Sequence, residues 1–236
     1  MQEANALHQA RALYYDFFAG FFLYELVATR KDLFLQQIDI LSTSPINESD
    51  GEYFAMLRAY VAKADSSDVL REYTHTFNLP FSASSVSPST QEIHTEDTEQ
   101  TTQKGKKSKK PKIPNPQIFL YLSHYLEGCL NGESLLKVRT LVKKTHFRLN
   151  EQNFKESEEH FGFLLLLMRH LLQDPKTLAG DEVERDRLIQ EIFTQAIAPM
   201  GLPIAETLAK REDLACYHLV GLLLRSFLTL EQHIIT

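Results

Sequence analysis

Tryptophan is absent from the 236 residues, and cysteine occurs only at 129 and 216. With no Cys-x-x-Cys pair, structural zinc and thioredoxin-like redox chemistry lose their usual ligand pattern. Both cysteines stand in apolar, helix-like context, where small buried thiols are common. They could pair, but nothing in the chain suggests secretion. Glycine and proline are scarce at nine each, which disfavours many-stranded architectures rich in turns and favours long helices. Basic charge is also in deficit. A formal net charge of −6 makes a poor generic partner for nucleic acid, which needs an excess of Lys and Arg on one face. The N-terminus lacks a basic leader followed by an apolar core and a small-residue cleavage site, so no signal peptide is read there. No apolar run is long and clean enough to span a bilayer. Asp16 and Glu25 interrupt Leu13 to Ala28, and Phe161 to Leu172 is too short and ends in Arg169 and His170. No stable membrane insertion is expected.

What the chain has is apolar mass. Hydrophobic residues make up 43%, including 15 Phe and 9 Tyr, enough for a substantial core. The length is high for one domain without demanding two. Three- and four-residue spacing of apolar side chains dominates. It predicts a long first helix from about Ala4 to Thr29, then helices at about Lys31 to Leu41, from Glu48 to Gly51 onward, and through Val69 to Phe77 with a cap at Ser67 or Asp68. Further helices are predicted at Ile118 to Leu130, Glu133 to Phe147, Asn150 or Asn153 to Gln173, and Asp181 to Ala198. A Pro-Met-Gly-Leu-Pro break at 199–203 should separate this last helix from a short one ending at Lys210. A final helix should run from Glu212 to Ile235. The expectation is an all-α, single-domain bundle of about ten helices spanning 1–236.

One segment departs from this pattern. From Ser82 to Lys112 there is almost no large apolar residue, so burial cannot offset the entropy of ordering. Acidic residues come first, then a lysine block. This reads as a disordered, low-complexity insertion. A lysine block of this kind also suits a nucleic-acid or targeting patch, although charge blocks are more often solvated linkers.

Catalytic patterns are mostly missing. There is no phosphate-cradling Gly-rich loop and no Gly-x-Ser-x-Gly elbow. A di-iron bundle needs two Glu-x-x-His pairs, and only Glu72-Tyr73-Thr74-His75 matches. The nine histidines are scattered, with no His-x-x-x-His pair. One cluster stands out, Glu156-Ser157-Glu158-Glu159-His160, ahead of the most apolar stretch. On a helix, positions 156, 159, 160, 163 and 167 share a face. Two readings stay open. Acidic residues in a first turn complement the helix dipole, and Asn153 to Glu156 fits a capping pattern. Alternatively, a carboxylate pair beside an apolar strip suits a ligand with a cationic head, because arginine binds carboxylates through a planar fork.

Three stretches carry a resemblance. Arg71-Glu72-Tyr73-Thr74-His75-Thr76-Phe77-Asn78-Leu79-Pro80 is similar to an E-Y-x-x-x-F-x-x-P motif. Tyr121 to Gly128 is similar to a Ser-x-Tyr element, with Ser123 and Tyr125. Asn153 to Phe163 is similar to E-P-E-D-H-x-G-F, with Ser157 in place of proline and Glu159 in place of aspartate. Cys216-Tyr217-His218-Leu219 fits a closing F-Y-x-x-L pattern more loosely. On these motifs the chain resembles the TorD/DmsD/NarJ family of redox-enzyme maturation chaperones, Campylobacter and Helicobacter types above all. The insertion at 82–112 falls between the first two motifs.

The resemblance implies a cytoplasmic, non-catalytic helical chaperone without a cofactor, monomer or dimer. Its implied partner is the apo form of a molybdenum or tungsten oxidoreductase, of formate dehydrogenase or S-/N-oxide reductase type. The chaperone would bind this enzyme, its twin-arginine leader, or both, and hold it for cofactor insertion before export. Carried onto this sequence, the client-binding residues are Tyr73, Phe77, Pro80, Ser123, Tyr125, Glu127, Glu156, Glu159, His160 and Phe163. Two other readings compete: a helical metal-dependent enzyme using His75 or His160, and an adaptor acting through the lysine-rich insertion.

Overall fold

The computed structural model describes residues 2–77, 117–148, 156–173 and 182–235. The insertion at 82–112, Pro80 and Asn153 lie outside them. The architecture is all-α. Its helices are α1 (Gln2–Phe22), α2 (Tyr24–Val27), α3 (Lys31–Leu41), α4 (Glu48–Lys63), α5 (Ser66–Thr76) and α6 (Leu122–Glu127), followed by α7 (Glu133–Lys143), α8 (Phe161–Gln173), α9 (Glu182–Ile192), α10 (Ala198–Ala209) and α11 (Tyr217–Ile235). Among the described residues β-structure is limited to two isolated bridges, Phe77 with Ile118 and Tyr121 with His160.

Helices α1 and α8 form the centre and pack chiefly on each other. Both are apolar nearly all round, as a helix surrounded by other helices must be. In α8 every residue from Phe161 to Leu172 is buried except Leu166, Arg169 and His170. Phe17, Phe18, Phe21 and Phe22 of α1 are fully buried and join Phe34, Phe54, Phe161 and Phe227 in one aromatic core. Asp16, the charge that interrupts this apolar run, is neutralised by Arg30 at 3.2 Å and Arg169 at 3.3 Å, and accepts a hydrogen bond from Gln37 at 2.7 Å. Among the described residues no helix is long and apolar enough to cross a membrane.

Several expected helices end elsewhere, for tertiary reasons. The first breaks at Leu23, which is extended. In an unbroken helix the carbonyls of Phe21 and Phe22 would accept from the N–H groups four residues on. Instead the Tyr217 hydroxyl donates to Phe21 O at 2.8 Å and the Tyr73 hydroxyl to Phe22 O at 3.3 Å. Gly162 packs into the same break. A Cβ there would lie 2.6 Å from Leu23 and 3.0 Å from Phe22 O, so glycine lets the start of α8 touch the end of α1.

The Pro-Met-Gly-Leu-Pro stretch is not a break. A π turn at Phe193–Ile197 links α9 to α10 in one continuous helix, with the Ala198 N–H reaching Phe193 O. Proline lacks the N–H that an α-helical turn requires, and the i→i+5 register just before Pro199 eases its entry. Helix α6 is only Leu122–Glu127, because Ile118 and Tyr121 are engaged in the bridges. The last helix starts at Tyr217 rather than Glu212.

Candidate functional site

The first motif lies on α5, which opens with a reciprocal capping box between Asp65 and Asp68. Its two faces serve different ends. Tyr73 and Phe77 point inward, buried against each other and against Tyr217. Glu72 points at the start of α11 and accepts the backbone N–H groups of Ala215 at 3.2 Å, Cys216 at 2.8 Å and Tyr217 at 2.7 Å. Those are orphan donors of a helix N-terminus, where a carboxylate also meets the favourable end of the dipole. Burial nevertheless pushes the Glu72 pKa up.

The second motif builds α6 and the turn into α7. Glu127 accepts from Glu133 N at 2.8 Å, Ser134 N at 2.7 Å and the Ser134 hydroxyl, and so caps α7. Tyr125 is half-buried and donates to Phe119 O at 2.9 Å. Ser123 is fully buried.

The third motif does not form a helical turn. The expected face carrying 156, 159, 160, 163 and 167 is corrected, since α8 begins only at Phe161. Glu156, Glu159 and His160 precede it in a turn held against α6. The Phe161 N–H bonds Leu120 O at 2.8 Å, and the Leu122 N–H bonds Glu159 O at 3.3 Å. This turn sends the two carboxylates in different directions. Glu159 is fully buried. Its carboxylate accepts the Ser123 N–H at 2.8 Å, the Ser123 hydroxyl and the Asn131 N–H at 3.1 Å. It caps α6, not its own helix.

His160 is buried too, and its Nδ1 accepts the Gly162 N–H at 3.2 Å. Desolvation drives its pKa down to about 3, so the ring stays neutral across physiological pH. Phe163 is in the core beside Phe147. Ser157, where the resembled motif has proline, buries a hydroxyl that meets no hydrogen-bond partner among the described residues.

Glu156 faces the other way. It is half-buried, and it accepts a hydrogen bond from the Tyr121 hydroxyl. Burial raises its pKa, and the charge of nearby Glu25 raises it further. Glu25 is exposed at the start of α2, next to Tyr24, whose ring is 43% exposed and edge-on to Tyr73 at 5.7 Å. Among the described residues neither Glu25 nor Glu156 has an ion-pair partner, whereas Asp16, Asp39, Glu158, Glu191, Asp213 and Glu231 all do. A half-desolvated carboxylate with a second carboxylate nearby and an open aromatic ring beside it can accept a guanidinium by charge, by hydrogen bond and by stacking.

The structure therefore brings Tyr73, Ser123, Glu156, Glu159 and His160 into one neighbourhood, with Tyr121 at its centre. Most of these residues are interior supports, and only Glu156 presents an uncommitted charge. Sequence reasoning missed Tyr24, Glu25 and Tyr121 as members. It read Glu72 as half of a metal pair and as part of the first motif, without its place at the start of α11. Among the described residues no group of three or more His, Cys, Asp or Glu is placed to hold a metal ion.

Residues 112–202 match the family model described as nitrate reductase delta subunit. The matched span contains the second and third motifs. No curated protein and no solved structure matches the chain. With the helical fold and the motif architecture, this match makes the chain similar over 112–202 to the NarJ/TorD-type family of molybdoenzyme maturation chaperones.

Proposed function

We propose that the protein is a cytoplasmic chaperone for a molybdenum or tungsten oxidoreductase of formate dehydrogenase or S-/N-oxide reductase type. It binds the enzyme's twin-arginine leader, its apo form, or both, and holds it for cofactor insertion before export. The observation that carries this reading is the Glu25–Glu156 pair: two carboxylates without an ion-pair partner among the described residues, one of them half-buried, beside the open ring of Tyr24. An arginine side chain supplies the missing positive charge and a plane that stacks on tyrosine. Glu156, Tyr125 and Glu127 would meet the client. Ser123, Glu159, His160, Tyr73, Phe77 and Phe163 would hold them in position. Pro80, outside the described residues, stays in the proposed set through its place in the first motif.

Titration calorimetry with leader peptides of the organism's molybdoenzymes tests the reading. At least one peptide should bind at or below ~100 μM, about −5.5 kcal/mol. Glu156→Gln should weaken it about tenfold or more, the worth of a charge-assisted hydrogen bond. If no leader binds at that concentration while deletion of 82–112 abolishes capture of the enzyme, the adaptor reading replaces this one.

A further inference from the structure

Helix α7 is basic in an acidic chain. With its exit, residues 133–148, it carries Lys137, Arg139, Lys143, Lys144 and Arg148 against Glu133 alone, where the whole chain has a net charge of −6. The helix also divides cleanly into two faces. Its buried residues are Ser134, Leu135, Val138, Leu141 and Val142, which at about 100° per residue fill one arc of about 120°. Leu136 lies opposite that arc. Arg139 and Lys143 flank it on one side, Lys137, Thr140 and Lys144 on the other, and all of them are exposed. At 61% Leu136 is the most exposed large hydrophobic side chain among the described residues. Arg139 meets Glu158 at 3.0 Å and Lys144 meets Glu191 at 3.1 Å, but both cations stay half-exposed, where such pairs are weak. Lys137 is near Glu127, whose carboxylate is spent on the start of α7. Lys143 has no ion-pair partner among the described residues.

We propose that the outward face of α7 docks on an anionic lipid surface, with Leu136 entering the headgroup layer and the flanking cations on the lipid phosphates. A leucine exposed between two rows of basic side chains is the pattern of a helix that lies in a membrane interface. The face is convex. It offers a partner protein no slot for a side chain, and a fluid layer of headgroups needs none. Long lysine and arginine stems let the charges swing outward from Glu158 and Glu191. The opposite arc is packed, and α7 contacts α6 and α9, so the helix already holds the docking orientation. The acidity of the rest of the chain opposes this only weakly, because exposed charges are screened beyond a Debye length of ~8–10 Å. Each cation that reaches the headgroups acts inside that length. The contact is peripheral, since no described helix is long and apolar enough to cross a membrane. It uses neither Glu156 nor a leader peptide.

Vesicle co-sedimentation of the full chain decides the matter, with circular dichroism melts to confirm that each variant folds. The protein should pellet with vesicles of phosphatidylglycerol and phosphatidylcholine in equal parts, and not with phosphatidylcholine alone. Raising salt from ~0.1 M to ~1 M should release it, as the screening length falls from ~10 to ~3 Å. Lys137→Gln with Lys143→Gln should weaken binding about tenfold or more, since one cation at such a surface is worth about fivefold. The chain has no tryptophan, so Leu136→Trp supplies a single reporter whose emission should shift to the blue on the anionic vesicles. Met56→Trp, at a site 58% exposed on α4, should not shift. Binding undiminished in the double lysine variant assigns the attraction to the lysine block at 104–112 and overturns the proposal. Vesicle binding that shifts Met56→Trp and leaves Leu136→Trp unmoved puts another face on the lipid and overturns it too. Capture on polyglutamate without any vesicle binding assigns the face to an acidic protein, and failure to bind either surface removes the docking role altogether.

Discussion

The carboxylate of Glu159 accepts the backbone N–H of Asn131 at 3.1 Å, and Asn131 is the non-glycine residue that holds a positive φ, 57°, among those described. A left-handed conformation costs a non-glycine residue about 1 kcal/mol or more, so the turn into α7 needs an anchor. The other carboxylate oxygen holds Ser123 at the start of α6. One buried side chain thus fixes both the origin of α6 and the exit of its loop.

Replacing Glu159 with Gln should therefore act first on stability. The resemblance places Glu159 among the client-binding residues, and its buried carboxylate is engaged by the backbone at Ser123 and Asn131. The amide presents an NH2 group to donors that need an acceptor. A cost of ~1.5–3 kcal/mol is expected, the range for hydrogen bonds to a charged group. Urea unfolding should show a lower midpoint, and hydrogen exchange should show faster amides at Ser123 and Asn131. Unchanged protection at both would refute the clamp.

Glu156→Gln should show the opposite balance. Burial raises the Glu156 pKa above its ordinary value of 4.5. A carboxyl raised in the folded state contributes stability below the unfolded pKa and loses it as pH rises through the folded one. At neutral pH the wild type holds a half-desolvated charge that the amide variant lacks. Glu156→Gln is therefore expected to melt higher than wild type at pH 7, with the advantage vanishing below about pH 4. Its affinity for an arginine peptide should fall. Melts from pH 3 to 8 measure this, and a variant less stable than wild type at pH 7 counts against an uncommitted charge at this position.

His160 titrates with the other sign. Its folded pKa lies near 3, against an ordinary 6.5. Between those values the unfolded chain binds the extra proton, so stability falls as pH drops from about 6.5 toward 3. The slope approaches ~1.4 kcal/mol per pH unit for a single proton. His160→Asn keeps an acceptor for the Gly162 N–H and should flatten this part of the stability curve. Parallel curves for variant and wild type would remove His160 as the cause.

Arg11 and Glu231 join the two ends of the described chain. The guanidinium contacts both carboxylate oxygens, at 2.7 and 2.9 Å, and the Tyr15 hydroxyl donates at 2.7 Å, all in the interior. Arg11→Met strands a buried charge and should cost ~3–5 kcal/mol. Adding Glu231→Leu should recover most of that loss, because an apolar pair of similar volume replaces an ion pair at little net cost. Urea unfolding of the two variants measures both steps. A double variant no more stable than the single would show that the pair does more than satisfy itself.

The helical class, the burial of α1 and α8 and the starts of α3, α4 and α7 were legible in residue spacing. Periodicity is a local property, and burial of an apolar stripe follows from it. The motif residues were legible too, since Glu72, Tyr73, Ser123, Glu156, Glu159 and His160 all stand inside the three stretches. Their roles were not. A carboxylate that caps a helix finds its backbone donors 36 residues away for Glu159 and 143 to 145 for Glu72, and a backbone N–H has no signature in the side-chain sequence.

By itself, then, the sequence determined that this chain forms helices, which of them are central, and which short motifs carry its resemblance. Each of those depends on neighbours within a few residues. Only the tertiary structure decided where the first helix breaks, because the hydroxyls of Tyr73 and Tyr217 arrive from distant segments to take the carbonyls at its end. It alone sorted the motif carboxylates as well. Glu72, Glu127 and Glu159 are occupied by helix termini brought to them through space, while half-buried Glu156 has no cation folded against it among the described residues.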